Sequence, residues 1–172
     1  MMKIFASIII FLSCSITGFI YGEGLRKRVK ALNEIESALY NLENQIMFTY
    51  TPLPEAFKHL ALKSSGPEKK FFQDISDLLY SNRVENVYQG FVKALEANKA
   101  LLNIKKEDEA ILLDLAKTLG ESDLDGQKSM FLLAYKNINK EISSAELSLS
   151  KNVKMYRGLG ISAGAAIVIL LF

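Results

Sequence analysis

The sequence predicts an all-α fold, an antiparallel bundle of about six helices over residues 23–157 between an N-terminal transmembrane helix, 1–22, and a C-terminal one, 158–172. Three observations predict it. The stretches 4–22 and 158–172 carry no charge. Between them apolar residues recur at threes and fours, and no run alternates as a strand would. Prolines, glycines and capping residues punctuate that pattern at helical intervals.

The first stretch, IFASIIIFLSCSITGFIYG, has 19 residues, about 28 Å of helix at ~1.5 Å per residue and close to the ~30 Å of a hydrocarbon core. The second, GLGISAGAAIVILLF, offers about 22 Å. It crosses only with Met155 and Tyr156 at its edge, Arg157 snorkelling, or a locally thinned bilayer. Its composition favours insertion: Leu159, Ile161, Ile167, Val168, Ile169, Leu170, Leu171 and Phe172 each contribute roughly 0.3–0.6 kcal/mol at a helix centre. A tail buried in a protein partner is the alternative. A cleaved signal peptide fits the first stretch poorly, since one lysine precedes it, no A-x-A site ends it, and Arg26, Lys27, Arg28 and Lys30 follow directly. Leu12-Ser13-Cys14 is a poor lipoprotein signal, because Phe11 stands three before the cysteine and apolar sequence runs on through Ile20. As the only cysteine, Cys14 excludes an internal disulfide and reads as an inert intramembrane thiol.

Arg26, Lys27, Arg28 and Lys30 follow the first span, and Lys151, Lys154 and Arg157 precede the second. Both basic flanks belong to the same intervening segment, which the positive-inside rule places in the cytoplasm with both termini outside. That segment holds all 19 acidic residues and every one of the 21 basic residues except Lys3, a balance of +1. No net field attracts nucleic acid. At about 135 residues it is long enough for one domain with its own core, with no repeat or low-complexity run.

The first helix continues from the membrane with Leu25, Val29, Leu32, Ile35, Leu39, Leu42 and Ile46 as a heptad-like seam. It stops near Tyr50, because Pro52 and Pro54 disfavour helix in the residues before them. A short second helix carries Ala56, Phe57, Leu60 and Ala61. Gly66-Pro67-Glu68 starts a third, with Phe71, Phe72, Ile75, Leu78 and Leu79 on its stripe and Ser81-Asn82 at its end. Val84, Val87, Tyr88, Phe91, Ala94 and Leu95 mark a fourth. Ile111, Leu112, Leu115, Ala116 and Leu119 mark a fifth, with Glu107, Asp108 and Glu109 at its positive end and Gly120 at the C′ position. The sixth is the long one. Ser122 or Asp123 caps it, Asp125 sits in its first turn, and Phe131, Ala134, Ile138, Ile142, Ala145 and Leu149 lead without a breaker to Tyr156 and on into the tail.

Two long helices leaving one membrane, about 42 and 52 Å tall, place their far ends together. The stretches TPLPEA (51–56) and LGESDLDGQ (119–127) then share one membrane-distal pole, where partner contacts on a rigid scaffold are expected. Thr51, Pro52, Glu55, Gly120, Asp123 and Gln127 are its candidate partner-binding residues, with Glu55, Asp123 and Gln127 as exposed polar groups. Helix termination alone is the competing account of them.

Catalytic chemistry finds no constellation. His59 is the only histidine, so no histidine-pair metal site exists, and Cys14 lies out of its reach in the bilayer; a partly exposed helical histidine is the plain reading. Glu121, Asp123 and Asp125 lack the spacing and later glutamate of an EF-hand, so no metal or other cofactor is expected and capping explains them. No G-x-x-x-x-G-K-[ST] occurs, and any energy from nucleotide comes from a partner. In the spans, Gly18-x-x-x-Gly22 and Gly160-x-x-x-Gly164 put small residues on one face. That pattern permits close helix packing, including between copies in a homo-oligomer, although ordinary small-residue composition also produces it.

TPLPEAFKHLA, LGESDLDGQKSMFLLA and KMYRGLGISAGAAIVILLF resemble the stage III sporulation protein AB family, over the whole chain and in the same order and topology. That family in turn resembles the cytoplasmic helical domain of the type II secretion and type IV pilus inner-membrane platform protein. The resemblance implies a non-enzymatic platform in the mother-cell membrane around the forespore, part of a secretion-like channel complex. It implies a cytoplasmic secretion-type ATPase, stage III sporulation protein AA, as a partner. The alternative class is a membrane-anchored regulator or sensor that oligomerises through its bundle; a membrane hydrolase is a distant third.

Overall fold

The computed structural model describes residues 2–121 and 123–171, and the side chains of 22–121, 123–151, Met155 and Ser162. Six helices follow one another: α1 Met2–Met47, α2 Leu53–Lys63, α3 Gly66–Tyr80, α4 Val87–Leu102, α5 Lys106–Thr118 and α6 Leu124–Leu171. No strand occurs among the described residues. The all-α class and the helix count agree with the sequence pattern. Among the described residues no helix is long and apolar enough to cross a membrane. The expected spans, 4–22 and 158–172, lie outside the described side chains except for Gly22 and Ser162.

The chain divides into two compact units. The outer one takes α1 up to Val29 and α6 from Ser143 onward, and the inner one runs from Lys30 to Ile142. In the outer unit Gly22, Arg28 and Ala145 are buried, Leu25 and Leu149 are half-buried, and Leu147 faces solvent.

The inner unit buries one stripe from each helix. On α1 this is Leu32, Ile35, Leu39 and Leu42, the threes and fours of the seam, and on α6 it is Phe131, Ala134 and Ile138. Each leucine, isoleucine and phenylalanine among them contributes about 1.5–3 kcal/mol by leaving water. The α1–α6 pairing is antiparallel: the Tyr135 hydroxyl donates to Glu43 Oε2 at 2.7 Å, its ring stacks on Tyr40 at 4.2 Å, and one turn later Asn139 Nδ2 donates to Glu36 Oε1 at 2.7 Å. Burial, then the bond to Glu43, pushes the Tyr135 phenol well above its usual range, so it stays a donor. On the other side Phe91 of α4 meets Phe57 of α2 and Phe71 of α3 edge-on, at 5.5 and 5.7 Å between centroids. Pairs of this geometry add about 0.5–1.5 kcal/mol beyond burial. The α4–α5 pair carries Lys99–Glu109 at 3.1 Å, with Glu109 half-buried, and the exposed Lys117 with its Nζ 5.7 Å from the Tyr88 centroid.

Helix boundaries follow local chemistry. Val84 does not open α4, as its spacing had suggested. Asn86 accepts the Gln89 N–H at 2.9 Å and starts the helix at Val87, leaving Val84 half-buried in the preceding turn. At α5 the acid expected to complement the dipole does more: Asp108 is fully buried and its carboxylate accepts the Lys105 N–H at 2.8 Å. Glu68, in the first turn of α3, is also buried. Burial raises its carboxyl above the ordinary range against its own backbone hydrogen bond, with Glu34 raising it and Lys30 lowering it by less. The folded chain therefore holds that proton longer than the unfolded one. The stability gained this way is fully present below the unfolded pKa and is lost as pH rises through the folded one.

Leu115 is buried on α5. Leu115→Ala is expected to cost roughly 2–5 kcal/mol in denaturant unfolding of the full-length chain; an unchanged midpoint would show that α5 does not pack by this stripe.

Candidate docking surface

The end of the inner unit built from the α1–α2 and α5–α6 connections gathers most of the candidate residues. After Met47 the Thr51 N–H reaches back to Gln45 O at 2.9 Å and Tyr50 takes φ +49°, a left-handed helix stop. The Thr49 hydroxyl donates to the same carbonyl at 2.8 Å and lies 2.8 Å from the Thr51 hydroxyl, so the stop is braced by side chains. Pro52 O then accepts the Glu55 and Ala56 N–H groups at 3.0 and 2.9 Å and opens α2. The segment is fastened inward by Ser76 Oγ, which donates to Pro54 O at 2.8 Å. Lys63 Nζ donates to Asn41 Oδ1 at 3.2 Å, and His59 Nδ1 lies 2.8 Å from Gln45 Oε1, so α2 lies along α1.

The second connection starts at Gly120, with φ +84°, a value at which a side chain is strained. A Cβ there would stand 3.2 Å from Leu53 Cδ1 and 4.0 Å from Val87. The stretches 51–56 and 119–127 therefore touch across about 65 residues of chain. Asp123 Oδ1 accepts the Gly126 N–H at 2.9 Å and caps α6; the other cap considered, Ser122, lies outside the described residues.

Pro52, Glu55, Gly120 and Asp123 are exposed and Thr51 is half-buried. Gln127 corrects the sequence reading: it is buried, at 8% exposure, because it stands one turn before Phe131 on the face α6 turns to the core. Gly22 is buried in the outer unit, and the surroundings of Gly18, Gly160 and Gly164 lie outside what is described. Sequence reasoning passed over Phe48 and Tyr50, which stand in solvent at 76% and 71% exposure. One signal was present, since Phe48 falls off the Leu39–Leu42–Ile46 stripe.

Among the described residues no three metal-ligating side chains cluster, and His59, half-exposed, faces Gln45 and Glu55 rather than a nucleophile. A groove of about 500 Å3 between α3 and α4 is lined by Asp74, Asp77, Arg83 and Lys93, whose charges balance. Lys93 is held on Arg83 O at 3.1 Å and Asp74 on buried Asn98 at 2.6 Å.

Comparison with known proteins gives a consistent picture. Residues 3–172 match the family described as Stage III sporulation protein AB, a description that carries no catalytic activity. Stage III sporulation protein AB of Bacillus subtilis (strain 168) is 28% identical over 171 residues, covering 99% of both chains. A solved structure of a Stage III sporulation protein AB superimposes with a TM-score of 0.67 at 25% identity, covering 72% of this chain and 97% of the other.

Gly120→Ala is expected to lower stability by about 1–3 kcal/mol, through the left-handed backbone and the crowding of Leu53. Thermal unfolding measures it. An unchanged midpoint would mean that the two connections do not meet as described.

Proposed function

The chain belongs to the stage III sporulation protein AB family, and from that premise we propose that it is a two-pass membrane protein docking a cytoplasmic secretion-type ATPase, stage III sporulation protein AA. It sits in the mother-cell membrane around the forespore as a non-enzymatic platform of a secretion-like channel complex. The two uncharged ends supply the anchors, and the basic flanks Arg26–Lys30 and Lys151–Arg157 hold the segment between them on the cytoplasmic side.

One observation carries the docking part of this reading, the meeting of 51–56 and 119–127 at Leu53 and Gly120. This gathers two loops from distant parts of the sequence at one end of the inner unit. The site's chemistry suits a protein partner, with exposed polar groups on a braced backbone and no cluster able to hold a metal among the described residues.

The test uses the full-length chain in detergent micelles with the purified ATPase. Co-elution and faster ATP hydrolysis are expected; separate elution at micromolar concentrations of both folded proteins would contradict the docking. For topology, a reporter active only in the cytoplasm is expected to give signal when inserted at Ser65 and none when fused after Phe172. Signal from the C-terminal fusion would show that the tail does not cross.

A further inference from the structure

We infer that Phe48 and Tyr50 are the anchors of the docking end, and that the ATPase surface they enter is basic around an apolar cleft. This rests on the reading that the chain docks such an ATPase, and adds to it which side chains bind and what chemistry they meet.

Helix termination in this chain points to the anchors. Four described connections pass through a left-handed residue after a helix: Tyr50 after α1, Asn82 after α3, Asn103 after α4 and Gly120 after α5. Three of the four use the residue types that tolerate this conformation, glycine or asparagine. Tyr50 does not, and its ring gains nothing in return from the core, being 71% exposed. A sequence shaped only to stop α1 would place glycine here. The tyrosine is explained by what it does outside the fold.

Phe48, two residues earlier, is 76% exposed, so two large aromatic rings stand in solvent on one short segment. The segment is held by the Thr51–Gln45 bond and the paired Thr49 and Thr51 hydroxyls. Rings presented on a fixed backbone lose little freedom on binding, which is what makes aromatic side chains effective interface anchors.

Charge defines the partner. Residues 48–58 and 119–128 carry four carboxylates, Glu55, Glu121, Asp123 and Asp125, against two lysines, Lys58 and Lys128, all exposed, a net balance of −2. Helix dipoles leave this balance unchanged: the C-termini of α1 and α5 and the N-termini of α2 and α6 all lie at this end, and their opposite partial charges cancel. A net acidic end that also presents two aromatic rings fits a basic face with an apolar cleft. The acidic groups steer the encounter while the rings set the lifetime of the complex.

The test measures affinity of the full-length chain in detergent micelles for the purified ATPase, with the variants Phe48→Ser, Tyr50→Gly and Leu62→Ser. Leu62 is exposed at the other end of α2 and serves as the control. Phe48→Ser and Tyr50→Gly are each expected to weaken binding at least about tenfold, and Leu62→Ser to change it by less than about twofold. Tyr50→Gly is also expected to raise the melting temperature, because glycine relieves the left-handed backbone, so its loss of binding is not a loss of fold. Affinity is expected to fall as salt rises. Retained affinity in both aromatic variants, with wild type binding, overturns the anchors and leaves the docking reading standing. Salt-independent binding overturns the basic face. No binding by wild type overturns the docking reading and this inference together. Light scattering supplies one more outcome: if the aromatic variants dissociate a homo-oligomer without affecting ATPase binding, the rings meet a second copy and the inference is wrong.

Discussion

The inner unit depends on the register between α1 and α6, and that register is fixed at Tyr135. A buried phenol needs a hydrogen-bond partner, and Tyr135 finds Glu43 while its ring lies on Tyr40. Sliding one helix by a turn would strand the hydroxyl, at a cost of about 1–3 kcal/mol, and would separate Asn139 from Glu36. Apolar residues at threes and fours tolerate such slips far better, because one leucine fills a hole much as another does. The polar pairs therefore supply specificity where the apolar stripe supplies stability. With the register set, the far end of α1 and the near end of α6 must lie together, and Leu53 meets Gly120.

Other buried polar groups act locally. Asp108 ties down the start of α5, Asn98 links α4 to Asp74 of α3, and Ser76 fastens the α1–α2 connection to α3. The bonds of Asn98 and Ser76 join elements that the aromatic cluster of Phe57, Phe71 and Phe91 already brings into contact, whereas that of Asp108 is local to α5. A rigid connection results at Thr49–Pro54, where a left-handed tyrosine is held against its own conformational preference. Burial of Glu68 is a different matter: it raises the carboxyl above its ordinary range, so this group's contribution to stability is present at acidic pH and is lost as pH rises through its folded pKa.

Much of this was legible in the sequence. Helical periodicity identified six helices, the prolines at 52 and 54 ended α1, and Gly120 read as the left-handed residue after α5, where φ is +84°. Burial of individual polar residues was not legible, because it depends on which face of a helix meets which neighbour. Gln127 looked like an exposed loop residue and lies under the first turn of α6; Asp108 looked like one acid of three and is the buried one. Val84 followed the apolar spacing of α4 but was excluded from it by the cap at Asn86, a local bond that periodicity does not weigh. Among the candidate site residues, the polar positions were visible through their loops. Phe48 and Tyr50 were passed over because apolar residues beside a helical stripe are ordinarily counted with it.

The central claim is that α1 and α6 pair antiparallel so that the α1–α2 and α5–α6 connections form one end of the inner unit. The most direct measurement is the dipolar distance between spin labels on Pro52→Cys and Glu121→Cys in the full-length chain carrying Cys14→Ser, both labelled positions being exposed. Pairing in this register predicts a single population at or below roughly 20 Å, no more than about two helix diameters, because the neighbouring Leu53 and Gly120 are in contact. A population near roughly 40 Å, about the length of a 28-residue helix, would mean that the two connections lie at opposite ends and would contradict the account.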